Sequence, residues 1–148
     1  MAWLTSPTNL REVCRGPAEA ALGEALLRVQ VPALALFPEA PLWVPMIAGN
    51  VEERMTVDLL VGHGLRAPYR PLFAIECDGY EYHGDYGSFK DDRYRDRRLL
   101  LAGLPVLRFA SVEVLHHRST DCLGEVVMAF HLIRLVNLYQ DFVLEEGA

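Results

Sequence analysis

Apolar and polar side chains alternate along two stretches of this chain, which is the pattern of β-strands. The alternation in residues 55–61 predicts one strand face made of Met55, Val57, Leu59 and Val61. Asp58 falls on the opposite face. Residues 73–78 alternate in the same way and bring Glu76 and Asp78 to one face. The loop between the stretches, residues 62–71, contains Gly and Pro, so we expect the two strands to form an antiparallel hairpin.

Three further stretches have the spacing of helices: residues 18–29, 90–102 and 121–142. Gly16 and Pro17 mark the start of the first helix, and Gly103 ends the second. Ser119 or Thr120 is a candidate cap for the third.

The remaining segments complete a mixed sheet. Residues 31–50 hold four of the nine prolines, which predicts extended chain with at most one edge strand and no helix. Residues 106–110 read as a short buried strand, joined through the second helix to the strand at 73–78 by a right-handed parallel crossover. The fold class predicted is α/β (α+β), in a single domain with its core at about residues 16–114.

Composition sets broad limits on function. The chain has 148 residues, 51% of them hydrophobic and 23% charged, which is ordinary for a soluble globular domain. Its net charge of −6 argues against broad electrostatic binding of nucleic acid, although a local basic surface is compatible with it. The three cysteines are widely spaced, no signal peptide is evident, and no apolar run reaches the about 18 residues that span a bilayer. We therefore expect a cytoplasmic protein without membrane association.

Carboxylates on an apolar strand are the strongest chemical signal. Glu76 and Asp78 lie about 7 Å apart on one face, and buried charges of this kind need a partner. If the hairpin forms, Asp58 lies beside Glu76, and such a group of oxygen ligands suits Mg²⁺ or Mn²⁺. The alternative for Asp58 alone is a strand-end residue that hydrogen-bonds a turn.

His83 follows in a turn rich in Tyr and Gly. Near the same site it would act as a general acid or base or position water, because its pKa lies near neutrality. The alternative is a hydrogen-bonding residue at the edge of the core.

The second helix adds charged groups. Its spacing puts Asp92, Arg95 and Asp96 on the face of Leu99, which should point toward the sheet. Other faces carry a basic group that can contact phosphates: Lys90, Arg93, Arg97 and Arg98. A solvated helix with salt bridges is the alternative for these basic residues.

Four segments share an order with a known superfamily: V-D-L-L-V at 57–61, I-E-C-D-G-Y-E-Y-H at 75–83, D-R-Y-R-D-R-R-L at 92–99 and G-L-P-V-L-R-F at 103–109. Together they resemble the PD-(D/E)XK nucleases, and within them the small branch related to very-short-patch repair endonucleases and some phage homing nucleases. G-P-A-E at 16–19 is similar to the start of the family's first helix, whose acidic residue often reaches the active site.

The resemblance implies a restriction-endonuclease-like fold and a Mg²⁺- or Mn²⁺-dependent endonuclease that hydrolyses DNA. The site residues it implies are Glu19, Asp58, Glu76, Asp78, His83 and Asp92, with Arg95 to orient a carboxylate or a phosphate. Glu24 competes with Glu19 for the helical position. Asp78 stands where the superfamily motif has Lys, so the alternative is an inactive nuclease-like domain that binds nucleic acid or a protein partner.

The last helix is apolar over most of its circumference. Such a helix must be covered on several sides, which predicts either a homodimer through this helix or a cover formed by the Pro-rich residues 31–45.

Overall fold

A computed structural model describes residues 2–45, 52–79 and 86–147 of the protein. Its helices are α1 (Pro17–Val29), α2 (Tyr86–Leu101) and α3 (Ser119–Glu146). Its strands are β1 (Leu34–Pro45), β2 (Glu52–His63), β3 (Arg70–Asp78) and β4 (Val106–Ala110). A short π-helical turn, Glu113–His117, joins β4 to α3. These elements make an α+β fold, as predicted.

The four strands form one mixed sheet in the order β1-β2-β3-β4. β2 pairs antiparallel with both β1 and β3, whereas β3 pairs parallel with β4. The predicted hairpin, the parallel pairing and the absence of helix from the described part of the Pro-rich segment are therefore confirmed. That segment forms β1, an edge strand, where proline costs the sheet least.

Helices pack on both faces of the sheet. On one face, side chains of α1 and α3 bury Phe73 and Ile75 of β3. On the other face, Leu99 of α2 packs with Ala74 of β3 and with Leu104. Residues of β3 therefore point alternately toward α1 and α3 or toward α2, as the strand pattern predicts.

The predicted face of β2 is wrong in one respect. Leu59 and Val61 do pack with α1 and α3, but Met55 and Val57 join the core beneath α2. The alternation breaks at Asp58, because β2 pairs with β3 only from Leu59 onward and leaves it before that point. Two diverging strands replace one flat hairpin, and the gap between them receives charged side chains.

The helix ends differ slightly from those predicted. α2 begins at Tyr86 and ends at Leu101, two residues before Gly103, whose φ of 86° suits glycine. α3 extends to Glu146, and its N-cap is Arg118 with no side-chain cap bond, so neither Ser119 nor Thr120 caps it.

α3 is the least covered helix. Only Cys122, Val126 and Phe130 of α3 are buried, and the C-terminal half of the helix is largely exposed. The Pro-rich segment forms β1 and leaves this apolar surface open, so the predicted cover of α3 by residues 31–45 is wrong. Among the described residues, α3 is also long and apolar enough to cross a membrane, with a mean hydropathy of 1.4 over its most apolar stretch. This is weak evidence of a span, since core helices pass the same test.

Candidate metal and active site

The candidate site lies where β2 and β3 diverge. The backbone N–H of Asp58 donates to Glu76 Oε2 at 3.4 Å, and the N–H of Cys77 donates to Asp58 Oδ2 at 2.8 Å. If β2 and β3 stayed paired, these N–H groups would donate to backbone carbonyl oxygens. Here they donate to the side-chain carboxylates instead. This exchange holds Asp58 and Glu76 side by side, as the hairpin argument predicted.

Three carboxylates converge at this point. Glu19 of α1, Glu39 of β1 and Asp58 of β2 each place a ligand oxygen within 4.8 Å of the others. We call these residues the acidic cluster. Glu19 is buried in the first turn of α1, where the helix dipole favours a negative charge, and the other two are half-buried.

Glu39 was not predicted from the sequence. It lies opposite Asp58 in the register of β1 and β2, and its backbone adopts a left-handed φ of 49°. Its Oε1 also accepts a hydrogen bond from the backbone N–H of Arg15 at 3.0 Å. The available signal was a glutamate between apolar residues of an extended segment, but the register with Asp58 cannot be read from one strand alone.

Glu24 does not compete with Glu19. Its Oε1 accepts a hydrogen bond from the backbone N–H of Leu10 at 2.8 Å, on the N-terminal segment. Glu19 is therefore the α1 carboxylate that reaches the cluster, which is the position that the resemblance implies.

Burial and repulsion from neighbouring carboxylates raise the pKa values of Glu19 and Glu76. Burial raises the pKa of Glu19, and the charges of Asp58 and Glu39 add to the effect. Burial also raises the pKa of Glu76 to about 7, with a further contribution from Asp58, while Arg95 opposes the shift. Negative charge is thus concentrated where it is poorly solvated, and a cation would relieve it. Oxygen donors in this number fit Mg²⁺ or Mn²⁺.

The neighbouring thiols stay protonated. Burial and the surrounding carboxylates raise the pKa of Cys14 to about 12 and raise that of Cys77 strongly as well. Hard cations such as Mg²⁺ prefer oxygen to sulfur, so the carboxylates are the candidate ligands here.

Arg95 of α2 holds Glu76. Its Nε and Nη2 donate to Glu76 Oε1 at 2.9 and 2.7 Å, and Nη2 also donates to the carbonyl oxygen of Thr56. The predicted role of Arg95, orienting a carboxylate, matches this geometry, but the carboxylate is that of Glu76 and not that of Asp92.

Asp78 belongs to a second group of charges. Arg108 Nη1 lies 2.6 Å from Asp78 Oδ1 and 3.7 Å from Asp92 Oδ1, while Nη2 lies 2.6 Å from Asp96 Oδ1. Burial lowers the pKa of Arg108, but hydrogen bonds to Asp96 and Asp78 outweigh this and raise it. Asp78, predicted as a metal ligand with Asp58 and Glu76, is therefore placed in an ion pair. Asp92, predicted as catalytic, joins the same group.

Arg108 was not predicted from the sequence, because arginine in a short strand has no distinctive spacing. In the parallel register it lies directly beside Glu76, with its side chain on the face covered by α2. One signal for Arg108 was available in the sequence: it is a charged residue in the apolar strand V-L-R-F, which was predicted to pair with the strand that carries Glu76 and Asp78.

The remaining predicted residues are His83 and the basic residues of α2. His83 lies outside the described residues. Lys90, Arg93 and Arg97 are exposed and can meet phosphates, whereas Arg98 is buried with its guanidinium 5.3 Å from the Tyr94 ring centroid. Three of the four predicted basic residues therefore present charge to solvent.

Gly16 leaves room for the Glu19 carboxylate. A Cβ at position 16 would lie 2.5 Å from Glu19 Oε2, so Gly16→Ala should displace that carboxylate without straining the backbone, whose φ is −129°. We expect an affinity for Mn²⁺ lower by about 10-fold or more with the fold intact, measured by titration calorimetry.

Gly124→Ala is the matched control. A Cβ at position 124 meets no described atom within 4 Å, so this helical substitution should leave Mn²⁺ binding unchanged. Equal Mn²⁺ affinities of the two variants would show that Glu19 is not a ligand.

No protein-family model matches this chain, and a search of curated proteins finds no significant match. The resemblance to PD-(D/E)XK nucleases therefore rests on the sequence motifs alone.

Proposed function

We propose that the protein is a divalent-cation-dependent endonuclease that hydrolyses phosphodiester bonds of DNA, on a restriction-endonuclease-like fold. The acidic cluster is the observation that carries this proposal. Three carboxylates from three elements meet beside a fourth, Glu76, at the point where β2 leaves β3. The cluster supports cation binding because its carboxylates repel one another where burial limits their solvation.

Glu19, Glu39 and Asp58 would hold Mg²⁺ or Mn²⁺. The bound ion would lower the pKa of a water molecule and neutralise charge on the phosphate. Glu76 has a pKa of about 7, which suits a group that exchanges protons at neutral pH, and Arg95 keeps its carboxylate in place. The exposed basic residues of α2 would contact the DNA backbone.

Plasmid nicking by the pure protein tests the proposal. We expect supercoiled DNA to be converted to open circles with Mg²⁺ or Mn²⁺ and to remain intact with EDTA. RNA of the same sequence serves as the competing substrate. No cleavage of DNA with either ion would remove the enzymatic proposal.

One observation favours a second candidate, a domain that binds nucleic acid without cutting it. The superfamily's Lys position is occupied by Asp78, and Arg108 neutralises that carboxylate at 2.6 Å. An inactive domain would bind DNA in a gel-shift assay but show no rise in melting temperature with Mn²⁺, whereas a functional cation site gives that rise.

A further inference from the structure

The C-terminal half of α3 carries a regular apolar seam. Successive steps of four, three, four and three residues separate Met128, Leu132, Leu135, Tyr139 and Phe142. Each of these side chains is 58% to 67% exposed, and no other described part of the chain covers them. This average spacing of 3.5 residues is the seam that one helix presents to another in a coiled coil.

The exposed apolar area of α3 is as large as one side of a protein–protein interface. Together with Val136, Leu138 and Val143, which flank the seam on α3, eight large apolar side chains are 46% to 67% exposed. At roughly 100 Å² each they offer on the order of 800 Å², which is about what each partner contributes to a standard interface. A patch of that size is larger than monomers usually expose.

The charges of α3 argue against lipid as the covering layer. The helix has five acidic residues and one arginine, whereas helices that lie on membranes are rich in Lys and Arg. If α3 spanned a membrane, both halves of the helix would also lose the contacts that they make with the rest of the domain. Phe130 is buried in the core, and Asp141 is paired with Arg70 at 2.7 Å.

We propose that a second copy of this chain covers the seam, with the two α3 helices antiparallel. A parallel pair would bring Glu145 and Glu146 of both copies together at the negative ends of both helix dipoles. An antiparallel pair separates them. It also places Leu135 against the partner's Tyr139, Leu132 against the partner's Phe142, and His131 beside the partner's Glu145.

Sedimentation equilibrium of the full chain tests the association. We expect the wild type to have twice the chain mass at about 100 µM, and Leu135→Glu to weaken dimerisation by about 100-fold or more, since it buries two charges at the centre. Leu100→Glu, at an exposed position of α2, is the control and should remain dimeric. A monomeric wild type, or a Leu135→Glu protein that dimerises equally well, would overturn the proposal.

Cross-linking tests the orientation. With a short bis-maleimide, Leu138→Cys chains should link to each other, because position 138 lies near the two-fold axis. Phe142→Cys chains should not, because antiparallel packing separates the two cysteines by about 15 Å along the helices. Efficient linking through position 142 would show parallel helices and overturn the arrangement.

Flotation of a monomeric protein with phosphatidylcholine–phosphatidylglycerol vesicles would assign the seam to lipid instead. None of these measurements depends on nuclease activity.

Discussion

Asp58→Asn should lower the rate of Mg²⁺-dependent DNA nicking by about 10³-fold, because it removes a charged ligand from the centre of the acidic cluster. Asparagine retains an oxygen that can accept the hydrogen bond from the N–H of Cys77, so the divergence of β2 and β3 should persist. The melting temperature without metal should rise, because the charge of Asp58 raises the pKa values of Glu19 and Glu76. The rise in melting temperature on adding Mn²⁺ should be lost.

Glu24→Gln is the control for Asp58→Asn. It removes one negative charge from α1 and keeps an oxygen acceptor for the N–H of Leu10, but it lies outside the acidic cluster. We expect nicking at the wild-type rate. If Asp58→Asn nicked as fast as Glu24→Gln, Asp58 would have no role in the reaction, and the proposed site would be wrong.

The architecture was largely predictable because local pattern determines it. The alternation of apolar and polar residues predicted β2 and β3, and the spacing of apolar residues predicted α2 and α3. The order of these elements along the chain predicted the mixed sheet. The face of β2 was mispredicted because the chain leaves β3 before Leu59, and that departure depends on side chains of other elements.

The site was predictable only in part. Asp58 and Glu76 were found together because they lie on neighbouring strands, where pairing follows from the hairpin. Glu39 and Arg108 belong to strands whose register is set by the whole sheet, so their proximity to the other charges has no local signature. Arg108 also explains why Asp78, one of the clearest sequence candidates, is paired away from the cluster.

The acidic cluster differs from the neighbouring carboxylates Glu76 and Asp78 in how much positive charge lies beside it. Among the described residues, Arg15 is the only arginine that forms an ion pair with the acidic cluster. Its side chain is 79% exposed and lies 3.5 Å from Glu39. By contrast, Glu76 lies 2.7 Å from a guanidinium nitrogen of Arg95, and Asp78 lies 2.6 Å from one of Arg108. The acidic cluster therefore has less compensating positive charge than Glu76 and Asp78.

Arg95→Met should destabilise the protein by about 1–1.5 kcal/mol at pH 8, because it leaves the buried Glu76 carboxylate without its partner, and protonating that carboxyl at pH 8 limits the cost to about one pH unit. The pKa of Glu76, already raised from 4.5 to about 7, should rise further in this variant. A raised folded-state pKa contributes stability that is fully present below pH 4.5 and is lost as the pH rises through the folded value. The difference between variant and wild type should therefore be small at pH 5 and grow toward pH 8, as measured by urea unfolding.

Two comparisons isolate the charge effect of Arg95→Met. Arg97→Met, at an exposed position of the same helix, should change stability by less than about 0.5 kcal/mol at either pH. Adding Glu76→Gln to Arg95→Met should remove most of the pH dependence, because the titrating carboxylate is gone. A cost for Arg95→Met that is the same at pH 5 and pH 8 would mean that Arg95 stabilises β2 and α2 by packing and by its bond to the Thr56 carbonyl, and not by pairing with Glu76.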